Sequence, residues 1–200
     1  MREDIKNIVK QAVSLRDVPF PTVVEATSGH RVIPINLDDV KDIELIDLVI
    51  RAAKNFLSIC QRTGRTYKGA DPRNISRPLE EEFVQEMDRV GLSAERLGGA
   101  GYPDHKLTDN YGRPVYFETK VSTQITIGSA RSFYYSSGKK IKEDAPHLLI
   151  GWEIEEESPN HYAVKGWKLV DLYYLGVSLK TEFNANNLEI YKEEASLGTG

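Results

Sequence analysis

Residues 103–122 read PDHKLTDNYGRPVYFETKVS, and this stretch decides the fold that the sequence predicts. Two runs, DHKL and PVYFETKVS, flank the cluster TDNYGR, whose Asp, Asn and Gly residues favour a turn. The stretch therefore predicts a β-hairpin. Side chains of its second strand alternate between two faces: Val115, Phe117, Thr119 and Val121 on one, and Tyr116, Glu118, Lys120 and Ser122 on the other.

Helices and further strands are predicted on both sides of the hairpin. Apolar residues recur at helical spacing in residues 2–16, 38–62 and 78–90, and another helix is predicted at 128–142. The apolar runs HLLIGWEI and HYAVKGWKLV predict two later strands. Residues 18–34, with three prolines, predict irregular chain or a short edge strand, and residues 62–77 predict a long loop.

This order of elements predicts an α/β (α+β) fold, with a central mixed β-sheet flanked by helices. At 200 residues the chain suits one domain spanning 1–200. Within it we expect an N-terminal helical region at 1–62 and a core at 78–155. The role of a C-terminal region at 156–200 is open.

Composition excludes some classes of protein. The hydrophobic share is 40% and the charged share 28%, as in an ordinary globular domain. One cysteine allows no internal disulfide, and no stretch has the length of a membrane span. We therefore expect a cytoplasmic protein with no membrane partner. The net charge of -4 leaves nucleic-acid binding open, because binding depends on where charge lies.

The predicted hairpin gathers residues that suit phosphodiester hydrolysis. Glu118 and Lys120 share one strand face, about 6–7 Å apart, and Asp104 begins the partner strand. Neighbouring carboxylates raise each other's pKa unless a cation lies between them. Their hard oxygens suit Mg²⁺, which takes further ligands from water and phosphate. Asp104 and Glu118 are thus candidate metal ligands, and Lys120 is a candidate for assisting the nucleophile or stabilising charge on the phosphate.

The acid-x-Lys pattern is weak by itself, since four copies occur in the sequence: Asp4–Lys6, Asp39–Lys41, Asp104–Lys106 and Glu118–Lys120. The last copy differs in its β-alternating, aromatic-flanked context after a Pro-Asp dipeptide and a turn. A surface hairpin with a cross-strand ion pair, contributing at most ~1 kcal/mol, is the structural alternative.

Pro103-Asp104 followed by Glu118-Thr119-Lys120 resembles the signature of the PD-(D/E)xK nuclease superfamily, and the chain is most like a type II restriction endonuclease. The resemblance covers roughly residues 78–155. It implies a restriction-endonuclease-like core, Mg²⁺, and a homodimer that cuts double-stranded DNA at a short site. It also implies a further acid on the helix before the hairpin. Glu80 matches that position, with Glu81 and Glu82 as alternatives.

Basic residues concentrate in two places that could contact DNA phosphates or base edges. Five lie in the predicted loop: Arg62, Arg65, Lys68, Arg73 and Arg77. Tyr67 is a candidate for stacking on a base. Lys139 and Lys140 lie at the end of the helix predicted after the hairpin. A flexible connection and a solvated helix face are the structural alternatives.

Two other functions fit the same residues. A repair or recombination nuclease of this superfamily, such as a junction resolvase, would prefer branched DNA to a sequence. A catalytically inactive DNA-binding module could retain the hairpin alone. Digestion of plasmid DNA separates these readings: discrete bands indicate restriction, structure-dependent nicking a resolvase, and intact plasmid a binder.

Overall fold

A computed structural model describes residues 4, 7, 15–99, 101–123 and 139–179 of the chain. The chain divides into two compact units, Pro19–Leu175 and the terminal segments Met1–Val18 with Gly176–Gly200. The first unit contains every candidate site residue. In the described part of the chain, no helix combines the length and apolar character that crossing a bilayer requires.

In the described residues of this unit there are three α-helices: α1 (Phe20–Ser28), α2 (Val40–Thr63) and α3 (Ser76–Arg89). The Asp39 side chain begins α2 by accepting a hydrogen bond from the Lys41 backbone N–H at 2.8 Å. Gly64 ends it with a φ of 61°, a left-handed conformation that glycine adopts without strain. The predicted helices at 38–62 and 78–90 are therefore confirmed within two residues at each end.

A six-stranded mixed sheet forms the centre, with the order β2-β7-β6-β5-β4-β3. Its strands are β2 (Thr66–Lys68), β3 (Ser93–Arg96), β4 (His105–Thr108), β5 (Pro114–Ser122), β6 (His147–Ser158) and β7 (His161–Asp171). Only the β5–β6 pair is parallel. The short strands β1 (Val18–Pro19) and β8 (Gly176–Val177) complete the described strands. The predicted hairpin, the two later strands and the flanked mixed sheet are confirmed, whereas β3 was not predicted.

The core between the helices and the sheet fixes the strand that carries the candidate site. Phe56 of α2 and Phe83 of α3 pack edge-to-face on Trp152 of β6, with ring centroids 5.0 and 4.9 Å away. Phe83 also contacts Phe117 of β5 at 6.2 Å. Aromatic pairs of this kind contribute about 0.5–1.5 kcal/mol beyond the burial of area. Because Phe117 is completely buried, its neighbour Glu118 is directed to the opposite face.

The turn of the β4–β5 hairpin is fastened to the first turns of α2. Arg113 donates to Asp109 and to Asp42, each at 2.7 Å. The Tyr111 hydroxyl donates to Glu44 at 2.5 Å. The bonds to Asp42 and Glu44 join residues 71 and 67 positions apart in the sequence. They hold the hairpin against the helix layer.

The prediction of irregular chain for residues 18–34 is wrong over its centre, where α1 forms. Pro21 lies in the first turn of α1, where a missing backbone N–H removes no helical hydrogen bond. Gly29 then ends the helix with a φ of 78°. The prolines therefore mark the start of a helix instead of excluding one.

The predicted long loop at 62–77 is also wrong, because it contains β2 and a 3₁₀ helix, Pro72–Ile75. β2 has three residues, too few to display an alternating pattern, and it pairs with β7 far along the chain. Tyr67 of β2 is 5% exposed and donates to Glu82 at 2.8 Å. It therefore belongs to the core, and the suggestion that it stacks on a base is wrong.

Residues 124–138, most of the predicted helix 128–142, lie outside the described residues. Residues 139–142 form a turn and irregular chain, so that end of the prediction is wrong. The Lys142 backbone N–H donates to the Tyr116 hydroxyl at 2.7 Å instead of to a helical carbonyl. The predicted helix 2–16 also lies outside the described residues, except for Asp4, Asn7, Leu15 and Arg16.

Candidate active site

Asp104 and Glu118 are coupled across the open end of the hairpin, directly before the first paired residue of β4. A Glu118 carboxylate oxygen accepts a hydrogen bond from the Asp104 backbone N–H at 3.1 Å. The Asp104 carboxylate accepts one from the Thr119 backbone N–H at 3.2 Å. The antiparallel register that pairs His105 with Phe117 brings these residues together. The predicted meeting of the two acids is therefore present in the fold.

Glu118 and Lys120 lie side by side on β5, as alternation along a strand requires. The Lys120 ammonium donates to the other oxygen of Glu118. Glu118 is only 3% exposed. Burial, aided by the nearby charge of Asp104 and opposed by Lys120, raises the pKa of Glu118 to about 7. This carboxyl thus changes charge near neutral pH.

Glu80 approaches the same site from α3. It is 6% exposed, and its Oε1 is buried without a hydrogen-bond partner. Burial and the charge of Asp104 raise the pKa of Glu80. The two alternatives face elsewhere: Glu81 pairs with Arg77 at 2.8 Å, and Glu82 accepts from Tyr67. Glu80 is therefore the member of this acidic run that lies beside the hairpin acids.

Two residues that the sequence did not single out lie next to Glu80. His105 Nε2 is 3.5 Å from Glu80 Oε1, and Arg96 Nε of β3 is 3.9 Å from it. Burial lowers the pKa of His105, which keeps its imidazole neutral at neutral pH. Arg96 could not have been found from the sequence, because β3 carries no alternating pattern.

The site opens into a cleft of about 770 Å³. Glu80, Asp104 and Lys120 line it together with the 3₁₀ helix that precedes α3. There Arg73 donates to Asp71 through two bonds of 3.0 Å each. The hydrogen bonds from Arg73 lower the pKa of Asp71 to about 2. Carboxylates, an ammonium group and an arginine thus line the same cleft.

Comparison with known proteins identifies the family. The sequence model of the type II restriction enzyme MjaV family matches residues 13–194. This chain belongs to that family. The type II restriction enzyme MjaV of Methanocaldococcus jannaschii is 30% identical over an alignment of 215 residues, which covers 96% of this chain and 93% of that protein. The resemblance to type II restriction endonucleases is thereby confirmed, and the chain is an endonuclease hydrolase of the restriction class.

In this MjaV-family chain the predicted DNA-contact residues are dispersed. Arg73 lines the cleft. Arg65 pairs with Glu82 at 2.9 Å, and Arg77 pairs with Glu81 outside the residues that line the cleft. Three others are exposed: Arg62 at the end of α2, Lys68 on the edge strand, and Lys139 in the turn. Lys140 is half-buried and donates to backbone carbonyls beside Asp104.

The acidic set of the MjaV-family site fits a divalent cation by the chemistry of its donors. No three His, Cys, Asp or Glu side chains already enclose a metal position among the described residues. However, Glu80 Oε1 is a buried acceptor without a donor, and the charges of Asp104 and Glu118 oppose each other. A hard cation between these oxygens would neutralise that repulsion.

Proposed function

We propose that this MjaV-family chain is a Mg²⁺-dependent type II restriction endonuclease that hydrolyses phosphodiester bonds of double-stranded DNA at a short specific site. The observation that carries the proposal is the coupling of Asp104, Glu118 and Lys120 at the open end of the hairpin, with Glu80 beside them in the cleft. An ordinary surface hairpin would leave such acids exposed or fully paired.

Asp104 and Glu118 are the proposed metal ligands, and Glu80 is a further acid of the site. Bound Mg²⁺ would supply Lewis-acid polarisation of the scissile phosphate and a bound water of lowered pKa. The backbone N–H of Asp104 donates to Glu118, and that of Thr119 donates to Asp104. These bonds hold the carboxylate oxygens that would bind the metal at a fixed separation.

We propose that Lys120 assists the attack of the nucleophilic water. Its ammonium lies beside Glu118 and lines the cleft, so it adjoins both the acids and the space for DNA. From there it can orient the attacking water and stabilise negative charge that develops on the phosphate. A neutral side chain of similar length would occupy the same volume without either effect.

Arg73 is the strongest of the proposed DNA contacts. The Arg73 side chain is 87% exposed, and its two bonds to Asp71 use two of the five N–H donors of the guanidinium, which leaves others for a backbone phosphate. Arg62, Arg65, Lys68, Arg77 and Lys139 are further candidates around it. DNA bound in the cleft would contact Arg73 and bring its backbone to the acids that line the same cleft.

We further propose that the enzyme acts in the cytoplasm. We also propose that it is a homodimer, because a two-fold protein matches a two-fold DNA site and each subunit then cuts one strand. The dimer predicts a cleavage site with two-fold symmetry. Size-exclusion chromatography with light scattering checks the mass in solution, and a monomeric mass with and without DNA would contradict this part.

Digestion of a sequenced plasmid with purified protein and Mg²⁺ tests the proposal. We expect discrete, reproducible bands that vanish in EDTA and in the Lys120→Ala variant. Lys41→Ala removes the lysine of another acid-x-Lys copy, an exposed residue in the first turn of α2, and should leave the bands unchanged. Structure-dependent nicking would indicate the resolvase alternative, and intact plasmid at all metal concentrations would indicate a binding module.

A further inference from the structure

The backbone directly before Asp104 is held by a lysine from a distant part of the chain. The Lys140 ammonium donates to the carbonyl oxygen of Gly101 and, at 3.0 Å, to that of Pro103. Gly101 has a φ of 92°, so this short segment turns sharply before it enters β4. The Gly101 and Pro103 carbonyl oxygens lie outside the β3–β4 and β4–β5 ladders. Their hydrogen-bond donor is the Lys140 ammonium.

The segment that presents Lys140 is itself fixed. Ile141 is 2% exposed, and the Lys142 backbone N–H donates to the Tyr116 hydroxyl at 2.7 Å. Glu143 then accepts a hydrogen bond from Lys106 of β4. Arg31 donates to Asp144 through its backbone N–H at 2.8 Å and its side chain at 2.9 Å. The ammonium therefore projects from an anchored backbone.

A second contact holds the same loop from the opposite direction. The Tyr102 hydroxyl and His147 Nδ1 are 2.6 Å apart, and both side chains are buried. His147 begins β6 and pairs with Tyr116 in the parallel register. Gly101, Tyr102 and Pro103 are thus each bound by an element outside the loop. The position of the Asp104 carboxylate depends on these contacts together with its bond to Thr119.

We propose that Lys140 is a positioning residue of the active site, which acts through the Gly101–Pro103 backbone on the carboxylate of Asp104. This inference rests on the proposed nuclease function and assigns Lys140 a role other than a phosphate contact. Two of the three N–H donors of the Lys140 ammonium are taken up by these carbonyl oxygens, and Lys140 is not among the residues that line the cleft. Removing a group that orients a metal ligand without touching the metal lowers activity or metal affinity by about 10- to 100-fold.

Lys140→Met tests the inference, with Lys142→Met as the matched control because Lys142 is an exposed neighbour in the same segment. Two readouts are needed. The first is hydrogen–deuterium exchange of the peptide containing residues 97–104 in the metal-free protein. The second is single-turnover cleavage with enzyme in excess, together with DNA affinity measured in EDTA across a range of salt.

We expect Lys140→Met to lose exchange protection in that peptide and to cleave about 10- to 100-fold more slowly. Its DNA affinity and salt slope should equal those of the wild type. Lys142→Met should keep both protection and rate. Lys140→Arg, which retains a cationic donor, should recover part of the rate. A weaker DNA affinity with a salt slope reduced by about one, at unchanged saturated rate, would overturn the proposal in favour of a phosphate contact.

Failure of the proposed function remains distinguishable from failure of this inference. If the wild type cleaves no DNA, the nuclease proposal falls, whereas the exchange arm still reports whether Lys140 holds the loop. Unchanged protection of the 97–104 peptide in Lys140→Met would overturn the positioning role. Protection of the β6 peptide 147–154 serves as the internal check of folding, and Lys140→Gln replaces Lys140→Met if that check fails.

Discussion

Both ends of the β4–β5 hairpin carry carboxylates, but the two ends neutralise them differently. At the turn end, defined by Asp109, Arg113, Asp42 and Glu44, Arg113 donates to both aspartates at 2.7 Å. Hydrogen bonds, chiefly from Tyr111, lower the pKa of Glu44. Every one of these acids therefore has a strong donor, and the turn end stabilises the fold.

At the open end, defined by Asp104, Glu118, Lys120 and Glu80, three acids share a single lysine of the set. The pKa of Glu118 is raised to about 7 and that of Glu80 is also raised, chiefly by burial. The carboxylates of the turn end are thus all paired with donors, although Arg113 Nη2 is buried without a hydrogen-bond partner, whereas at the open end the buried Glu80 Oε1 has no hydrogen-bond donor. The difference indicates that the open end is arranged to receive a cation and a phosphate from outside the chain.

The largest expected effect separates activity from stability. Asp104→Asn or Lys120→Ala should lower the rate of plasmid cleavage by at least about 100-fold, because the first removes a negative charge proposed to bind Mg²⁺ and the second a positive charge proposed to stabilise the phosphate. Asp104→Asn should not lower the melting temperature appreciably, since it relieves repulsion at the open end, whereas Lys120→Ala leaves the buried Glu118 without its cation and should lower it. Cleavage assays and thermal denaturation of the same preparations measure both. A fully active Lys120→Ala enzyme would remove the distinction between the two ends.

At the turn end we expect the reverse. Arg113→Met leaves Asp42 and Asp109, both nearly buried, without their cation and should reduce the free energy of unfolding by about 3–5 kcal/mol. Chemical denaturation measures this change. Arg77→Met, which breaks an exposed pair with Glu81, is the matched control and should cost less than about 0.5 kcal/mol. Equal costs for the two variants would show that the turn-end cluster does not stabilise the fold.

The raised pKa of Glu118 makes a pH prediction for the metal-free protein. The folded state holds this proton more tightly than the unfolded chain, whose carboxyl has the ordinary pKa of 4.5. Its contribution to stability is therefore complete below about pH 4.5 and is lost as pH rises towards about 7, a loss of roughly 2–3 kcal/mol.

Denaturation in EDTA at pH 5 and pH 8 measures that loss. Glu118→Gln should flatten the pH dependence, because its amide does not titrate. Mg²⁺ should stabilise the wild type more at pH 8 than at pH 5, since the cation requires the charged carboxylate. A wild type and a Glu118→Gln variant with identical pH profiles would contradict the assignment of the raised pKa.

The smallest expected effect concerns DNA affinity. Arg73→Ala should weaken DNA binding about tenfold near 0.1 M salt and reduce the salt slope by about one, because one phosphate contact is lost. Fluorescence anisotropy in EDTA checks this prediction. Arg51→Ala removes an exposed arginine from α2 and is the control. If both variants bind like the wild type, the 3₁₀ helix that lines the cleft does not contact DNA.

The sequence predicted those parts of the molecule that depend on local pattern. The hairpin, α2, α3, β6 and β7 each carry a period or a turn signal within a few residues. It failed at α1, where Pro21 lies in a helical first turn, and at β2, whose three residues pair only with distant β7. Prolines and short edge strands are decided by their neighbours in space, which no local pattern contains.

The candidate site shows the same limit. The alternation of side chains along the second strand and the Pro-Asp dipeptide were enough to predict that Asp104, Glu118 and Lys120 lie close together. The choice of Glu80 over Glu81 and Glu82 required the orientation of α3 against the sheet. The Lys140 ammonium donates to the backbone carbonyl of Pro103, 37 positions away. A backbone carbonyl leaves no mark in the sequence, so Lys140 could be identified there only as a basic residue.

Cation binding at the open end tests the central claim most directly. We propose titrating metal-free protein with Mn²⁺ at pH 8 and following free ion by electron paramagnetic resonance. We expect the wild type to bind an ion and the Asp104→Asn and Glu118→Gln variants to lose it. Glu44→Gln, which makes the same kind of change at the turn end, should keep the bound ion. Equal Mn²⁺ binding by the wild type and the two open-end variants would contradict it.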